Sequence, residues 1–150
     1  FALFKSKASS FNSVDGSPLH RDIIEECADA CAKHGIKLGL YYSQAIDWSH
    51  PDGAGYRAAS PNVAGMSWTN DWDFPDPDKK DYMRCYNEKI KPQVEEILRN
   101  YGDLCLIWFD TPSGIPKECS DELYDMVKKY QPNCLVNSRI GNERFDYESS

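Results

Sequence analysis

The chain of 150 residues is long enough for one domain with a hydrophobic core. Its hydrophobic share of 41% and its aromatic share of 13% are typical of a folded globular protein and exclude a disordered one. The formal net charge of −7, without any run of Lys or Arg, argues against a nucleic-acid partner. No apolar run approaches the roughly 20 residues of a membrane span, so we expect no membrane partner.

The first elements predicted are a strand or its end over residues 1–4, a polar loop over 5–19 and an amphipathic helix over 21–34. The inward face of this helix is predicted to be Ile23, Ile24, Cys27, Ala28, Cys31 and Ala32. Gly35 ends that helix, because glycine is the usual residue just past a helix C-terminus. A strand over residues 36–43 follows and closes on Tyr41, Tyr42 and Ser43. The apolar start without a Met indicates a segment of a longer protein.

A long loop over residues 49–80 carries most of the prolines. Loops of this length in compact domains are usually binding loops or lids. Aromatic side chains in such a loop suit stacking on sugar faces, or alternatively form a small satellite core. The aromatic residues concerned are Trp48, Tyr56, Trp68, Trp72 and Phe74.

The second half continues the alternation of helices and strands. A helix is predicted over residues 79–101, with a kink or break near Lys91 because Pro92 lies inside it. The apolar run 104–110 is a buried strand that ends on Trp108, Phe109 and Asp110. Ser120 is expected to cap a helix over 121–130, and a last strand over 134–139 ends on Arg139, before a polar loop over 140–150.

Six cysteines are present, and their spacing fits no zinc site. Cys27 and Cys31 lie one helical turn apart, without a second pair. Cys105 and Cys134 fall in predicted strands and are expected to be core residues. We therefore expect no metal, and the redox compartment stays open.

Alternating strands and helices predict an α/β fold with a parallel sheet. Polar or aromatic residues end three consecutive strands, namely Tyr41, then Trp108 with Asp110, then Arg139. Only the C-terminal edge of a parallel sheet gathers side chains from several strands into one site. The sequence thus predicts part of a (β/α)8 barrel, with a small self-contained α/β domain as the alternative.

A set of short motifs follows in order along the whole chain: Phe1-Ala2-Leu3-Phe4, Phe11-Asn12-Ser13-Val14, Arg21-Asp22, Gly39-Leu40-Tyr41-Tyr42-Ser43, Asp47-Trp48, Asn100-Tyr101-Gly102, Ile107-Trp108-Phe109-Asp110 and Asn137-Ser138-Arg139. By this ordered set the chain resembles the α-L-fucosidases of glycoside hydrolase family 29. The resemblance implies one catalytic (β/α)8-like barrel domain, of which residues 1–150 represent roughly the second to the fifth strand, the remainder lying beyond both ends.

The same resemblance implies the roles of four residues. Asp110 would be the catalytic nucleophile, and Trp108 would pack on the fucose ring and its methyl group. Tyr41 would reach the sugar, and Arg139 would bind in the same pocket. The general acid/base is a Glu expected beyond Ser150, since neither Glu143 nor Glu148 lies in a matching motif.

The implied function is retaining hydrolysis of terminal α-L-fucosides through a covalent fucosyl-enzyme, without metal or organic cofactor. The partner would be a fucosylated oligosaccharide or glycoconjugate, and the location periplasmic, secreted or lysosomal. Two alternatives remain: a barrel hydrolase acting on another glycoside, and a carbohydrate-binding fragment without catalysis. Linkage preference and oligomeric state are not specified by the sequence.

Overall fold

The centre of the fold is a parallel sheet of three strands in the order β1-β4-β5. These are β1 (Leu38–Ser43), β4 (Leu104–Asp110) and β5 (Leu135–Val136). The computed structural model describes residues 1–53, 62–63, 66–67, 70, 73–112 and 115–149. The α/β class is confirmed, whereas closure into a barrel stays a prediction, because three strands leave the sheet open.

Two predicted strands change in the structure. Residues 1–4 form only an isolated parallel bridge, Ala2 with Asn12, so the predicted strand there is wrong. The last strand is two residues long, and Arg139 lies beyond it in a 3-10 turn, Ser138–Ile140. The Asn137 side chain explains the shortening, because its amide, and not the backbone of a longer β5, bonds to the N–H and the carbonyl of Phe109 in β4.

The long loop contains short regular elements that the sequence did not predict. Strands β2 (Asn62–Val63) and β3 (Met66–Ser67) pair antiparallel, and a 3-10 turn covers Pro77–Lys79. The predicted loop aromatics Tyr56, Trp68 and Trp72 lie outside the described residues. Trp48 and Phe74 lie within them.

Helix α1 (Ile23–His34) confirms the first predicted helix. The Asp22 side chain accepts a hydrogen bond from the Glu25 N–H and caps the start, and Gly35 ends the helix at a left-handed φ of 66°. Of the predicted inward face, Ile24 and Ala28 pack partly buried against the core.

The second predicted helix is present, but its interruption takes another form. It runs as α2 (Tyr82–Cys85), a π-helical turn (Tyr86–Ile90) and α3 (Lys91–Asn100). The helix type changes at Lys91, which places Pro92 in the first turn of α3, where its missing N–H costs nothing. Residues that recur at helical spacing on one face of this segment are all buried: Tyr82, Tyr86, Ile90, Val94, Ile97 and Leu98.

Helix α4 (Lys117–Tyr130) begins earlier than predicted, after Pro116 rather than after Ser120. Ser120 lies inside the helix, where its buried Oγ donates a hydrogen bond to the Lys117 carbonyl at 3.0 Å. Its apolar face is buried and includes Leu123, Met126 and Val127. No helix within the described ranges is long and apolar enough to span a membrane.

The hydrophobic core lies between one face of the sheet and helices α3 and α4. Ile107 and Phe109 of β4 and Val136 of β5 are fully buried in it. Because side chains alternate along a strand, Trp108 and Asp110 point to the opposite face. There Tyr41, Trp108 and Leu135 are exposed to 58%, 39% and 47%, so one face builds the core and the other presents the candidate site.

Candidate active site

Asp110 is the last residue of β4, and its carboxylate is the centre of the candidate site. Oδ2 accepts a hydrogen bond from the Tyr41 hydroxyl at 2.8 Å. Oδ1 accepts from Arg139 Nε at 2.5 Å and from the Thr111 backbone N–H at 2.7 Å. The Asp110 side chain is 23% exposed, so the carboxylate is fixed and still reachable.

Tyr41 reaches Asp110 because of the register of the sheet. β1 and β4 are paired in parallel, with Tyr41 opposite Trp108 and Ser43 opposite Asp110. Loss of solvent around the hydroxyl, and then the hydrogen bond to the ionised Asp110, raise the pKa of Tyr41 to about 12. Tyr41 therefore stays neutral at physiological pH and acts as a hydrogen-bond donor.

Arg139 approaches Asp110 from the 3-10 turn that follows β5. Its Nη2 lies 2.5 Å from Asp110 Oδ1, and its side chain is 35% exposed. The sequence predicted Arg139 at a strand end, whereas the structure places it three residues past β5. Its guanidinium reaches the carboxylate all the same.

The surroundings of Asp110 keep it ionised. Partial burial alone would raise the pKa of this carboxyl. The hydrogen bonds from Tyr41, Thr111 and Arg139, together with the positive charge of Arg139, outweigh burial and hold the pKa of Asp110 below its usual value. The group is thus a carboxylate at neutral pH, as a nucleophile must be.

Trp108 lies two residues before Asp110 on the same face of β4 and directly opposite Tyr41. Its exposure of 39% leaves an aromatic surface free beside the carboxylate. An apolar ring next to a fixed charged group is the arrangement that sugar-binding sites use for the apolar face of a pyranose. The structure thus brings together Tyr41, Asp110 and Arg139, with Trp108 alongside.

Three polar residues that hold this arrangement were missed in the sequence. Thr111 adopts a left-handed φ of 53°, which is unusual for a β-branched residue and costs about 1–3 kcal/mol. Its Oγ1 donates to the Asp110 carbonyl at 2.7 Å and accepts from Ser43 at 2.6 Å. Asn137 is buried and bonds to both backbone groups of Phe109, at 2.9 and 3.0 Å.

Gln44 is the third of these residues and follows β1 directly. Its fully buried amide contacts the backbone on either side of the site. The only sequence signal was position, since each of the three follows a strand end. Polar residues there are usually solvated, and nothing local distinguishes those that become buried.

The base of the long loop forms a second cluster of charges, which we call the loop anchor (Asp47, Asp52, Asn70, Arg84 and Lys89). Lys89 forms an ion pair with Asp47, and the two side chains are 9% and 15% exposed, respectively. Arg84 holds Asp52 through two hydrogen bonds of 2.6 and 2.7 Å. Asn70 Nδ2 donates to the His50 carbonyl at 2.8 Å.

The loop anchor fixes the segment that carries Trp48. This residue is 53% exposed and lines a cleft of about 370 Å³ together with Tyr41 and Leu40 of β1. The cleft is bounded on its far side by the apolar residues Leu3 and Phe11. An exposed indole near the strand end agrees with the predicted use of loop aromatics in sugar binding, which stays a prediction.

The remaining candidates for acid/base or metal chemistry lie apart from Asp110. Glu143 and Glu148 are exposed, and neither is among the hydrogen-bond partners of Asp110. All six cysteines are free thiols, and Cys134 is buried in the core whereas Cys105 is half-buried. Within the described ranges, no group of three or more His, Cys, Asp or Glu side chains is arranged to hold a metal ion.

Comparison with known proteins gives one consistent result. The family model described as Alpha-L-fucosidase matches residues 1–150. The structure of α-L-fucosidase AlfC from Lactobacillus casei with its α-L-fucose product is 48% identical in sequence, with a TM-score of 0.94, covering 100% of this chain and 46% of that chain. A variant of AlfC was also solved in complex with Fucα(1,6)GlcNAc.

More distant relatives agree. The α-L-fucosidase from Vibrio sp. strain EJY3 is 32% identical with a TM-score of 0.84, covering 99% of this chain and 25% of that chain. Putative alpha-L-fucosidase 1 of Oryza sativa subsp. japonica is 26% identical over 147 residues, which is 94% of this chain and 23% of the rice protein. The chain therefore spans less than half the length of each of these relatives.

Proposed function

Because the chain belongs to the α-L-fucosidase family, we propose that the intact protein hydrolyses terminal α-L-fucosides with retention of configuration, using Asp110 as nucleophile. One observation carries this proposal. The carboxylate of Asp110 is kept ionised and partly exposed at the C-terminal edge of the sheet, between the Tyr41 hydroxyl and the Arg139 guanidinium. A carboxylate so placed, with an exposed indole beside it, is equipped to attack a sugar.

The hydrogen bonds favour one of the two carboxylate oxygens as the attacking atom. Among the residues that the structure describes, Oδ1 is occupied by Arg139 and by the Thr111 N–H, whereas Oδ2 accepts from Tyr41 alone. Oδ2 thus keeps a free lone pair. We infer that Oδ2 forms the bond to the anomeric carbon while the bond from that carbon to the leaving oxygen breaks.

The leaving oxygen takes a proton from the general acid, a Glu that we place outside residues 1–150. In the second step the same Glu, now a carboxylate, removes a proton from water. The water oxygen displaces Asp110 from the anomeric carbon, which releases fucose and regenerates both groups. In retaining enzymes the two carboxyl groups lie about 5–5.5 Å apart, and this spacing is what we expect in the intact protein.

Trp108 supports fucose as the sugar, because its exposed ring offers an apolar wall for the 6-deoxy methyl group. For the linkage, AlfC provides the first candidate, since a variant of it binds Fucα(1,6)GlcNAc and this chain is 48% identical to it over the part of AlfC that the chain covers. We therefore propose α(1,6)-linked fucose on GlcNAc as the first natural substrate to test. As the family resemblance implies, the intact protein would act in the periplasm, outside the cell or in the lysosome.

Covalent trapping tests the proposal directly. The intact protein is incubated with a 2-fluoro-fucosyl fluoride, whose fluorine slows hydrolysis of the glycosyl-enzyme, and is then digested and analysed by mass spectrometry. The expected result is one fucosyl adduct on the peptide that contains residues 104–111, and none in Asp110→Asn. A folded protein that stays unlabelled would contradict the proposal, and a panel of aryl glycosides would then distinguish another sugar from binding without turnover.

A further inference from the structure

The amide of Gln44 connects the two halves of the candidate site. Its Oε1 accepts a hydrogen bond from the Asp110 backbone N–H at 2.9 Å. Its Nε2 donates to the carbonyls of Arg139 at 2.8 Å and Ile140 at 3.2 Å. One side chain at the end of β1 therefore contacts the end of β4 and the turn after β5.

This side chain is fully buried, and its three bonds use the amide in one orientation only. The Asp110 N–H can only donate, and the two carbonyls can only accept. Exchanging Oε1 and Nε2 would place donor against donor and acceptor against acceptor, and would leave three buried polar groups without a partner. The network thus fixes both the rotamer and the amide orientation.

The turn that carries Arg139 depends on such a tie. β5 pairs with β4 only at Leu135 and Val136, and Arg139 lies beyond that pairing. Asn137, the first residue after β5, is held to the Phe109 backbone by its own side chain. The Arg139 carbonyl itself is held by Gln44, so the backbone position from which the guanidinium reaches Asp110 is set there.

Gln44 is itself anchored from the helix layer. The hydroxyl of the buried Tyr82, in α2, donates to the Gln44 carbonyl at 2.8 Å. Both the backbone and the side chain of Gln44 are therefore fixed, and the amide acts as a rigid strut and not as a mobile polar group.

We propose that Gln44 is a positioning residue, which holds the Asp110 backbone and the Arg139 turn at the spacing that brings guanidinium and carboxylate together. This inference rests on the proposed function for its catalytic meaning, whereas the geometry it predicts stands without it. An error of about 1 Å in the placement of reacting groups costs about 100-fold in rate, so a strut at this point controls turnover without touching substrate.

The test uses the intact protein with Gln44→Met, which keeps the length of the side chain and removes all three hydrogen bonds. Gln93→Met is the matched control, because Gln93 is also a buried glutamine, bonded to Tyr42 and Ser6 and not to the Asp110 or Arg139 segments. Two quantities are measured: kcat and KM for 4-nitrophenyl α-L-fucoside, and the pKa of the Asp110 carboxyl by carbon-13 NMR, assigned with Asp110→Asn.

For Gln44→Met we expect kcat to fall about 10–100-fold with little change in KM. We also expect the pKa of Asp110 to rise, because Arg139 is the cation that faces Asp110 and would no longer be held beside it. Tyr41 is the other titratable neighbour of Asp110 among the described residues. Gln93→Met should change neither quantity beyond its effect on stability. Where Gln44→Met does not fold, Gln44→Asn, whose shorter amide cannot span both segments, should change both quantities in the same direction.

A folded Gln44 variant with wild-type kcat and wild-type Asp110 pKa would overturn the proposal, as would an equal loss in Gln93→Met. A wild-type protein that is inactive on fucosides contradicts the proposed function alone. The NMR titration still decides in that case, because a raised Asp110 pKa in the Gln44 variant, and not in the Gln93 variant, supports the strut without any turnover.

Discussion

The loop anchor and the end of β4 each pair a carboxylate with a cation, and they differ in whether a carboxylate oxygen stays available to a further partner. In the loop anchor, both Asp47 oxygens have partners, because Oδ1 accepts from the Ser49 N–H and hydroxyl while Oδ2 meets Lys89. At the end of β4, Asp110 Oδ2 has one hydrogen-bond partner within the described part of the chain, and the Asp110 side chain is 23% exposed. The first arrangement is closed on itself, and the second is open to a substrate.

The pKa alone does not separate these regions. Hydrogen bonds and nearby charge lower the pKa of Asp110 and also the pKa of Asp47, in both cases against the effect of burial. A lowered carboxyl pKa therefore indicates pairing, and pairing serves structure as well as chemistry. The free lone pair and the exposed Trp108 nearby distinguish the candidate nucleophile from the scaffold.

The largest effect should come from removing the open carboxylate. Asp110→Gly is expected to lower kcat for an aryl α-L-fucoside by about 10⁴-fold or more, because the group that forms the covalent intermediate is lost. Added azide should restore part of the turnover by occupying the vacated space and attacking the sugar. Activity close to that of the wild type would assign the nucleophile to another residue.

Removing the cation from the Lys89–Asp47 pair should lower the stability of the fold rather than act on turnover directly. Lys89→Met leaves Asp47 buried without its cation, and we expect a loss of about 3–5 kcal/mol in the free energy of unfolding, measured in urea at pH 7. The double variant with Asp47→Asn should recover most of it. Unchanged stability of the single variant would show that the loop anchor does not hold the fold.

The difference in unfolding free energy between the wild type and Lys89→Met should depend on pH in a defined direction. In the wild type the pKa of Asp47 is lowered, so its contribution is present above the ordinary carboxyl pKa of 3.8 and is lost as the pH falls. In Lys89→Met burial remains without the cation, and the pKa of Asp47 rises instead. The stability gap between the two proteins should therefore narrow on acidification, which unfolding curves at a series of pH values would measure.

Removing the exposed ring of Trp108 should have an intermediate effect, and the quantity affected is substrate binding. Trp108→Ala removes the exposed ring beside Asp110, and we expect KM for the fucoside to rise about tenfold, equivalent to about 1.4 kcal/mol. Thermal stability should change little, because the ring is 39% exposed. Trp48→Ala provides a comparison at the cleft, and an unchanged KM for Trp108→Ala would make its ring irrelevant to binding.

The smallest effect on activity should come from Tyr41→Phe, which deletes one hydrogen bond to Asp110 Oδ2. Losing a donor to the carboxylate raises the pKa of Asp110, so the acid limb of kcat/KM should move to higher pH. A pH–rate profile of wild type and variant, measured with the same aryl fucoside, gives this shift. A limb that moves to lower pH would contradict the assigned direction of the bond.

Periodicity was enough to predict the elements that build the site. The apolar run ending at Asp110 and the strand ending at Tyr41 follow local patterns, and parallel pairing then brings their ends together. Arg139 was predicted near the same edge, although the strand before it is shorter than expected. The roles of these residues stay predictions, whereas their convergence is observed.

What the sequence did not predict depends on partners far along the chain. Gln44 and Asn137 are ordinary polar residues after strand ends until β4 and the Arg139 turn close around them. Serine is a common N-cap, so the sequence predicted that α4 starts after Ser120. In the structure α4 starts at Lys117, and Ser120 is buried inside it. Pro92 indicated an irregular helix, but a kink, a break and a π turn each leave room for the missing N–H, so the local sequence did not predict which of them forms.

That π turn, Tyr86–Ile90, has a consequence for insertions and deletions. A π turn holds one residue more than the α-helix it interrupts, so removing one residue would restore a regular helix. Because the π turn winds more slowly than an α-helix, it absorbs its extra residue, and such a deletion would keep the flanking helices nearly in phase and Tyr82 facing the Gln44 carbonyl. A deletion within α3 has no extra residue to absorb, so it would rotate the part before it by about 100° and turn Tyr82 away from Gln44.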